Sequence, residues 1–103
     1  MNKVEFARDE VYNFLLSFDD ETVAKILGDL ELLSELGHLL RPPKSKIIRK
    51  DLYELRVMGK LSIRIFYAFY KNKIFILHAF VKKTQKTPKK ELEKVINILK
   101  YLR

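Results

Sequence analysis

Two hydrophobic periods divide the chain. Residues 1–6 read as a short strand, and the apolar positions that follow recur at helical spacing. Val11, Phe14, Leu15 and Phe18 fall at i, i+3, i+4 and i+7, the stripe of an amphipathic helix. Asp19 or Asp20 is placed to cap a second helix, and Glu21 suits the positive end of its dipole. The stripe of that helix is Val23, Ile26, Leu27, Leu30 and Leu33. Gly37 is a C-cap residue, and Pro42–Pro43 forbids continuation. The two helices therefore form a hairpin.

From Lys46 the period changes to two. Leu52 to Val57 places Tyr53, Leu55 and Val57 on one face and Glu54 and Arg56 on the other. Met58–Gly59–Lys60 is a turn. Leu61 to Tyr70 carries Leu61, Ile63, Ile65, Tyr67 and Phe69 on one side, with Ser62, Arg64, Phe66, Ala68 and Tyr70 on the other. Lys71–Asn72–Lys73 is a tight turn in which Asn72 suits a left-handed backbone. Ile74 to Val81 returns as the next strand. Thr87 is an N-cap with Pro88 at the first helical position, and Leu92, Val95, Ile96 and Leu99 are the buried stripe of a last helix. The predicted order is β-α-α-β-β-β-α, a single α+β domain over 1–103. Its sheet is mostly antiparallel because the later strands are joined by short turns. Helices packed on one face of that twisted sheet would leave the other face able to work.

Charge changes this picture. The chain carries a net +8, unevenly divided. Residues 1–38 hold nine acids against three bases, whereas residues 39–103 hold eighteen bases against four acids, Asp51, Glu54, Glu91 and Glu93. Segregation on that scale points to an end of the fold that meets a polyanion. The plainer reading is that lysines solvate strands and a helix, and for any single lysine it is the better one. The chain has no cysteine, so it has neither disulfides nor a thiolate metal site. Glu5, Asp9 and Glu10 break any signal-peptide pattern, and no apolar run reaches a membrane span's ~20 residues, so a soluble cytoplasmic domain is expected.

Three segments in order carry a family resemblance: Leu52-Tyr53-Glu54-Leu55-Arg56-Val57, Arg64-Ile65-Phe66-Tyr67, and Leu77-His78-Ala79-Phe80-Val81-Lys82-Lys83-Thr84-Gln85-Lys86-Thr87-Pro88. With a helix after them, they resemble the phage-derived HigB-like branch of the RelE/ParE toxin superfamily. The resemblance implies a RelE-like fold and a ribosome-dependent messenger-RNA endonuclease needing no metal or cofactor. It also implies partners: the ribosome and its message, no membrane, and a cognate helix-turn-helix antitoxin held in a toxin–antitoxin heterocomplex. In such enzymes the RNA's own 2′-hydroxyl attacks the neighbouring phosphate.

That reaction needs charge stabilised on the phosphate oxygens, a proton taken from the 2′-hydroxyl and a proton given to the 5′-oxygen. Arginine suits the first need, since its planar fork grips two oxygens and stays charged. If the strands carrying Arg56 and Arg64 pair, both guanidiniums emerge on one surface. The resemblance places Arg56, Arg64 and Lys83 where family members carry catalytic or phosphate-binding bases. A cross-strand ion pair with Glu54 or Asp51 is the structural alternative for Arg56. Glu54 is either a general base or the partner that holds Arg56. His78, read on the Ile74, Ile76, Phe80 side of its strand, is a general acid or base or else a packed histidine. His38, before Pro42–Pro43, reads as a surface residue near a helix end.

Lys44, Lys46, Arg49, Lys50, Lys82, Lys83 and Lys86 would form a basic rim for sequence-blind phosphate contact. Phe66 and Tyr70, on Arg64's side, are the better candidates for stacking on bases. Tyr53 is a weaker one, and Tyr67 belongs to the apolar stripe. Neither a glycine-rich phosphate loop nor a Ser-His-Asp set can be drawn, and the two histidines have no zinc spacing. Two other functions share these features: a ParE-like gyrase inhibitor on the same scaffold, and a non-catalytic RNA-binding module.

Overall fold

The periodic segments form as expected, and a short additional strand joins them. The computed structural model describes residues 2–102. In chain order the elements are β1 (Lys3–Phe6), α1 (Asp9–Leu16), α2 (Asp20–Leu36), a 3-10 turn at Gly37–Leu39, β2 (Ser45–Arg49), β3 (Leu52–Met58), β4 (Ser62–Tyr70), β5 (Lys73–Val81) and α3 (Lys89–Leu102). The α+β class and the mostly antiparallel sheet stand. The sheet has five strands in the order β1-β5-β4-β3-β2, with β1 parallel to β5 and every other pairing antiparallel.

The additional strand is β2. The strand is too short to read from Lys46-Ile47-Ile48-Arg49 alone, and β2 exists because it pairs with β3, with an extra residue between Ile47 and Arg49. Charged side chains on such an edge discourage pairing with other molecules. The β4–β5 hairpin is set locally. Lys71 and Asn72 both have positive φ, 49° and 62°, the geometry of a two-residue turn whose twist matches the flanking strands.

The sheet is buried on both faces. On one face Val11 and Leu15 of α1 and Ile26, Leu30 and Leu33 of α2 pack on Leu55, Val57, Ile63, Ile65, Tyr67, Ile74 and Ile76. Val23 is only half-buried and Phe14 and Leu27 are exposed, so the stripe is narrower than the periodicity suggests; Thr22 is buried instead. On the other face α3 lays Val95, Leu92, Ile98 and Leu99 over Leu52, Phe66, Ala68, Leu77 and Phe80. The helices do not all share one face, which corrects the expectation of an open sheet surface. The run Phe66-Tyr67-Ala68 is fully buried, as a strand covered on both sides must be.

A bulge decides the geometry of β5. Phe66 pairs with His78 but Tyr67 pairs with Ile76, so Leu77 is an extra residue on β5. Beyond it the alternation is offset by one. Ile74 and Ile76 face α1 and α2, whereas Leu77 and Phe80 face α3. His78 goes with the latter pair and bonds to Glu91 of α3. Reading strict alternation put His78 on the Ile74 and Ile76 side; the bulge places it opposite them.

Candidate functional site

Pairing of β3 with β4 sets Arg56 directly opposite Arg64, and Glu54 opposite Phe66 one step along the same face. Two cations face to face on adjacent strands repel. Glu54 offsets this: its side chain is 2% exposed, and its Oε1 lies 3.2 Å from Arg56 Nε and 3.5 Å from Arg64 Nε. Its other oxygen accepts from the Thr87 hydroxyl at 3.4 Å. Two arginines and one carboxylate leave the cluster with a net positive charge.

Arg64 is the least ordinary member. Its side chain is 8% exposed, and Nη1 donates to Met58 Sδ at 3.6 Å, a soft acceptor. Its Nε is buried with no hydrogen-bond partner among the described residues. Burial pushes the guanidinium's pKa down, Glu54 works against that shift, and Arg56 adds to it. Arginine stays charged through such shifts. A desolvated cation is a costly arrangement, and Glu54 offsets it only in part because the same oxygen also serves Arg56.

Two open depressions meet at Arg64. One, of about 490 Å³, is lined by Ser62, Arg64, Lys82, Lys83, Thr84 and Gln85. The other, of about 460 Å³, is lined by Pro43, Lys44, Arg56, Met58 and Arg64. Lys82 is brought in because its backbone N–H donates to Ser62 O at 2.7 Å, extending the β4–β5 ladder past the strand. In the following loop the Thr84 hydroxyl donates to Lys86 O at 2.7 Å.

Among the sequence-predicted residues, Glu54, Arg56, Arg64, Lys82 and Lys83 come together. Lys46 is exposed opposite Glu54 on β2, within the same part of the sheet. Lys44 borders Arg56 and bonds to Asp29 of α2 at 3.0 Å. Lys86 is exposed in the loop before α3. Arg49 and Lys50 are exposed but lie beyond Leu52, four or more residues along the sheet from Arg56, roughly 13 Å.

Several candidates fall elsewhere. Phe66 is fully buried beneath α3 and stacks on Phe80, so no base can reach it. Tyr70 ends β4 six residues from Arg64, roughly 20 Å away, with Lys71 Nζ 5.3 Å from its ring. Tyr53 stacks on Tyr67, whose hydroxyl bonds to Ser45 at 2.8 Å within the core. His78 is two strands from Glu54, with Phe66 between them, and is engaged by Glu91. His38 is exposed beside Phe69, as a residue near a helix end should be.

Thr87 has a role the sequence did not suggest. The helix begins at Lys89, so the Pro88 carbonyl receives the first helical bond, from Leu92 at 3.2 Å. The Thr87 hydroxyl is thereby released to Glu54 instead of capping α3. Ser62, Thr84 and Gln85 also line the basin; only their proximity to Arg64 and Lys83 could have marked them. The described residues hold no group of three His, Asp or Glu side chains arranged for a metal ion. No helix among them is long and apolar enough to cross a membrane.

The family described as phage derived protein Gp49-like (DUF891) matches residues 13–100 of the chain. No curated protein matches the chain.

Proposed function

This chain belongs to the Gp49-like family of phage-derived proteins, a RelE/toxin-like family, and on that premise we propose that it is a HigB-type toxin that cuts messenger RNA on the ribosome. The observation that carries the reading is Arg64. It is a nearly buried guanidinium that shares Glu54 with the facing Arg56 and lines a basin that holds Lys82 and Lys83. Such a cluster suits the charge that grows on a phosphate during attack.

The reaction assigned to it is transfer within the RNA backbone. The 2′-hydroxyl gives its proton to water as its oxygen bonds to the adjacent phosphorus, and the 5′-oxygen takes a proton from a lysine ammonium as its bond to phosphorus breaks, leaving a 2′,3′-cyclic phosphate and a free 5′-hydroxyl. Arg64 and Arg56 hold the non-bridging oxygens through the pentavalent state. Glu54 is a positioning residue, since its oxygens are occupied by Arg56, Arg64 and Thr87. His78 is committed to Glu91, which leaves Lys82 and Lys83 as the proton-bearing groups beside the basin. The exposed bases Lys46 and Lys86 supply salt-dependent affinity for ribosomal RNA. The toxin acts in the cytoplasm and is neutralised by a helix-turn-helix antitoxin.

Purified ribosomes programmed with a defined message test this. Cleavage within the ribosome-bound codon, with cyclic-phosphate ends, is the expected result. Intact message together with trapped gyrase–DNA complexes would establish the ParE-like inhibitor. Intact message with ribosome binding alone would establish a non-catalytic RNA-binding module.

A further inference from the structure

The chain has no cysteine and two methionines, so Met58 holds its only sulfur beyond the first residue. Met58 ends β3, where alternation sets Glu54, Arg56 and Met58 on one face, and Arg64 stands opposite Arg56 on β4. The Arg64 guanidinium is therefore held between two acceptors of β3. Glu54 Oε1 lies 3.5 Å from its Nε, and Met58 Sδ accepts from its Nη1 at 3.6 Å. The two are unequal. The first is a carboxylate already shared with Arg56; the second is a thioether, a weak acceptor.

Access differs as well. The Arg64 side chain is 8% exposed, whereas Met58 is 58% exposed and walls the depression of about 460 Å³ with Pro43, Lys44, Arg56 and Arg64. A small oxidant in solvent can reach the sulfur directly. The sulfur lone pair attacks the terminal oxygen of a hydroperoxide and the O–O bond breaks. The proton on the transferred oxygen passes to the departing one, which leaves as water or an alcohol. Sulfur gives up two electrons and the peroxide takes them. The sulfoxide oxygen so formed carries partial negative charge beside Nη1, and accepts a charge-assisted bond as a phosphate oxygen would.

We propose that Met58 is a reversible oxidation site for hydroperoxides, whose sulfoxide takes Arg64 Nη1 away from the phosphate and so slows the reaction. Being tethered beside the guanidinium, the sulfoxide competes at a high effective concentration. Oxidation at sulfur is undone by methionine sulfoxide reductases, which makes the change a switch rather than a lesion. The slowed cleavage rests on the ribonuclease reading; the oxidation and the Arg64 bond do not.

Treatment of the whole protein with hydrogen peroxide, followed by its removal, tests this. Peptide mass mapping, nitrogen NMR of the arginine side chains and ribosome-dependent cleavage are read on the native chain and on Met58→Leu. Expected are one added oxygen on Met58, a displaced Arg64 side-chain resonance and cleavage about tenfold slower, the worth of one hydrogen bond to a charged group. Reductases for both sulfoxide epimers should restore rate and resonance together. Met58→Leu should cleave at one rate before and after peroxide, whatever that rate is. Met58→Gln, with a carbonyl oxygen near the sulfoxide's place, should resemble the oxidised protein without peroxide. An unmodified Met58, an Arg64 resonance that stays in place, an undiminished rate or an equal loss in treated Met58→Leu overturns the proposal. If the untreated protein leaves message intact while oxidation still displaces the Arg64 resonance, the nuclease reading fails and the oxidation site stands.

Discussion

Arg56 and Arg64 stand directly opposite each other on β3 and β4, and the buried Glu54 is shared between them at 3.2 and 3.5 Å. Like charges placed in register on adjacent strands destabilise a sheet. The carboxylate compensates for only one of them. The remaining positive charge borders the two open depressions that Arg64 lines.

Removing the buried guanidinium should remove the chemistry. Arg64→Ala is expected to slow ribosome-dependent cleavage by about 10²–10³-fold, the usual effect of losing one charge-stabilising donor. Arg64→Ala combined with Lys83→Ala should abolish toxicity while circular dichroism shows the fold retained. Full toxicity from the folded double variant would refute the site.

Glu54 should behave as a holder of arginines rather than a base. Glu54→Ala leaves two facing cations without their carboxylate and is expected to cost about 3–5 kcal/mol in urea unfolding. Glu54→Gln should lower the cleavage rate yet preserve the shape of its pH profile. Loss of the profile's acidic limb in that variant would make Glu54 the general base.

The polar tie between sheet and last helix can be measured directly. His78 Nε2 bonds to Glu91 Oε2. A double-mutant cycle with His78→Ala and Glu91→Ala should show a coupling of roughly 0.5–3 kcal/mol, as expected for contacting residues. Additive single effects would mean that apolar packing alone seats α3.

Asp19 links the turn before α2 to the β3–β4 turn. Its bond with Lys60 at 2.8 Å, helped by Thr22, holds its carboxyl at about 2 against the ordinary 3.8. A depressed folded-state value means that the contribution is complete above the ordinary value and disappears as pH falls through about 2. In an NMR titration of the carboxyl, Lys60→Ala should move the Asp19 midpoint upward toward 3.8, short of it while the Thr22 bond remains. An unmoved midpoint would assign the shift to Thr22 alone.

Local rules in the sequence determine most of the elements. The helical spacing of Val11, Leu15, Ile26, Leu30 and Leu33, the alternation around Leu55 and Ile65, and the left-handed Asn72 each follow from one residue and its neighbours. That Arg56 and Arg64 share a face follows too, since alternation places both opposite the apolar stripes of their strands. Tertiary pairing decided the rest. β2 forms only against β3, and the extra residue at Leu77 turns His78 toward Glu91. α3 crosses to the second face of the sheet, burying Phe66 and delivering Thr87 to Glu54. The physical reason is common to all of these. A period of two says which residues alternate, but a one-residue slip in the ladder exchanges the faces, and only hydrogen bonding between strands fixes where that slip occurs.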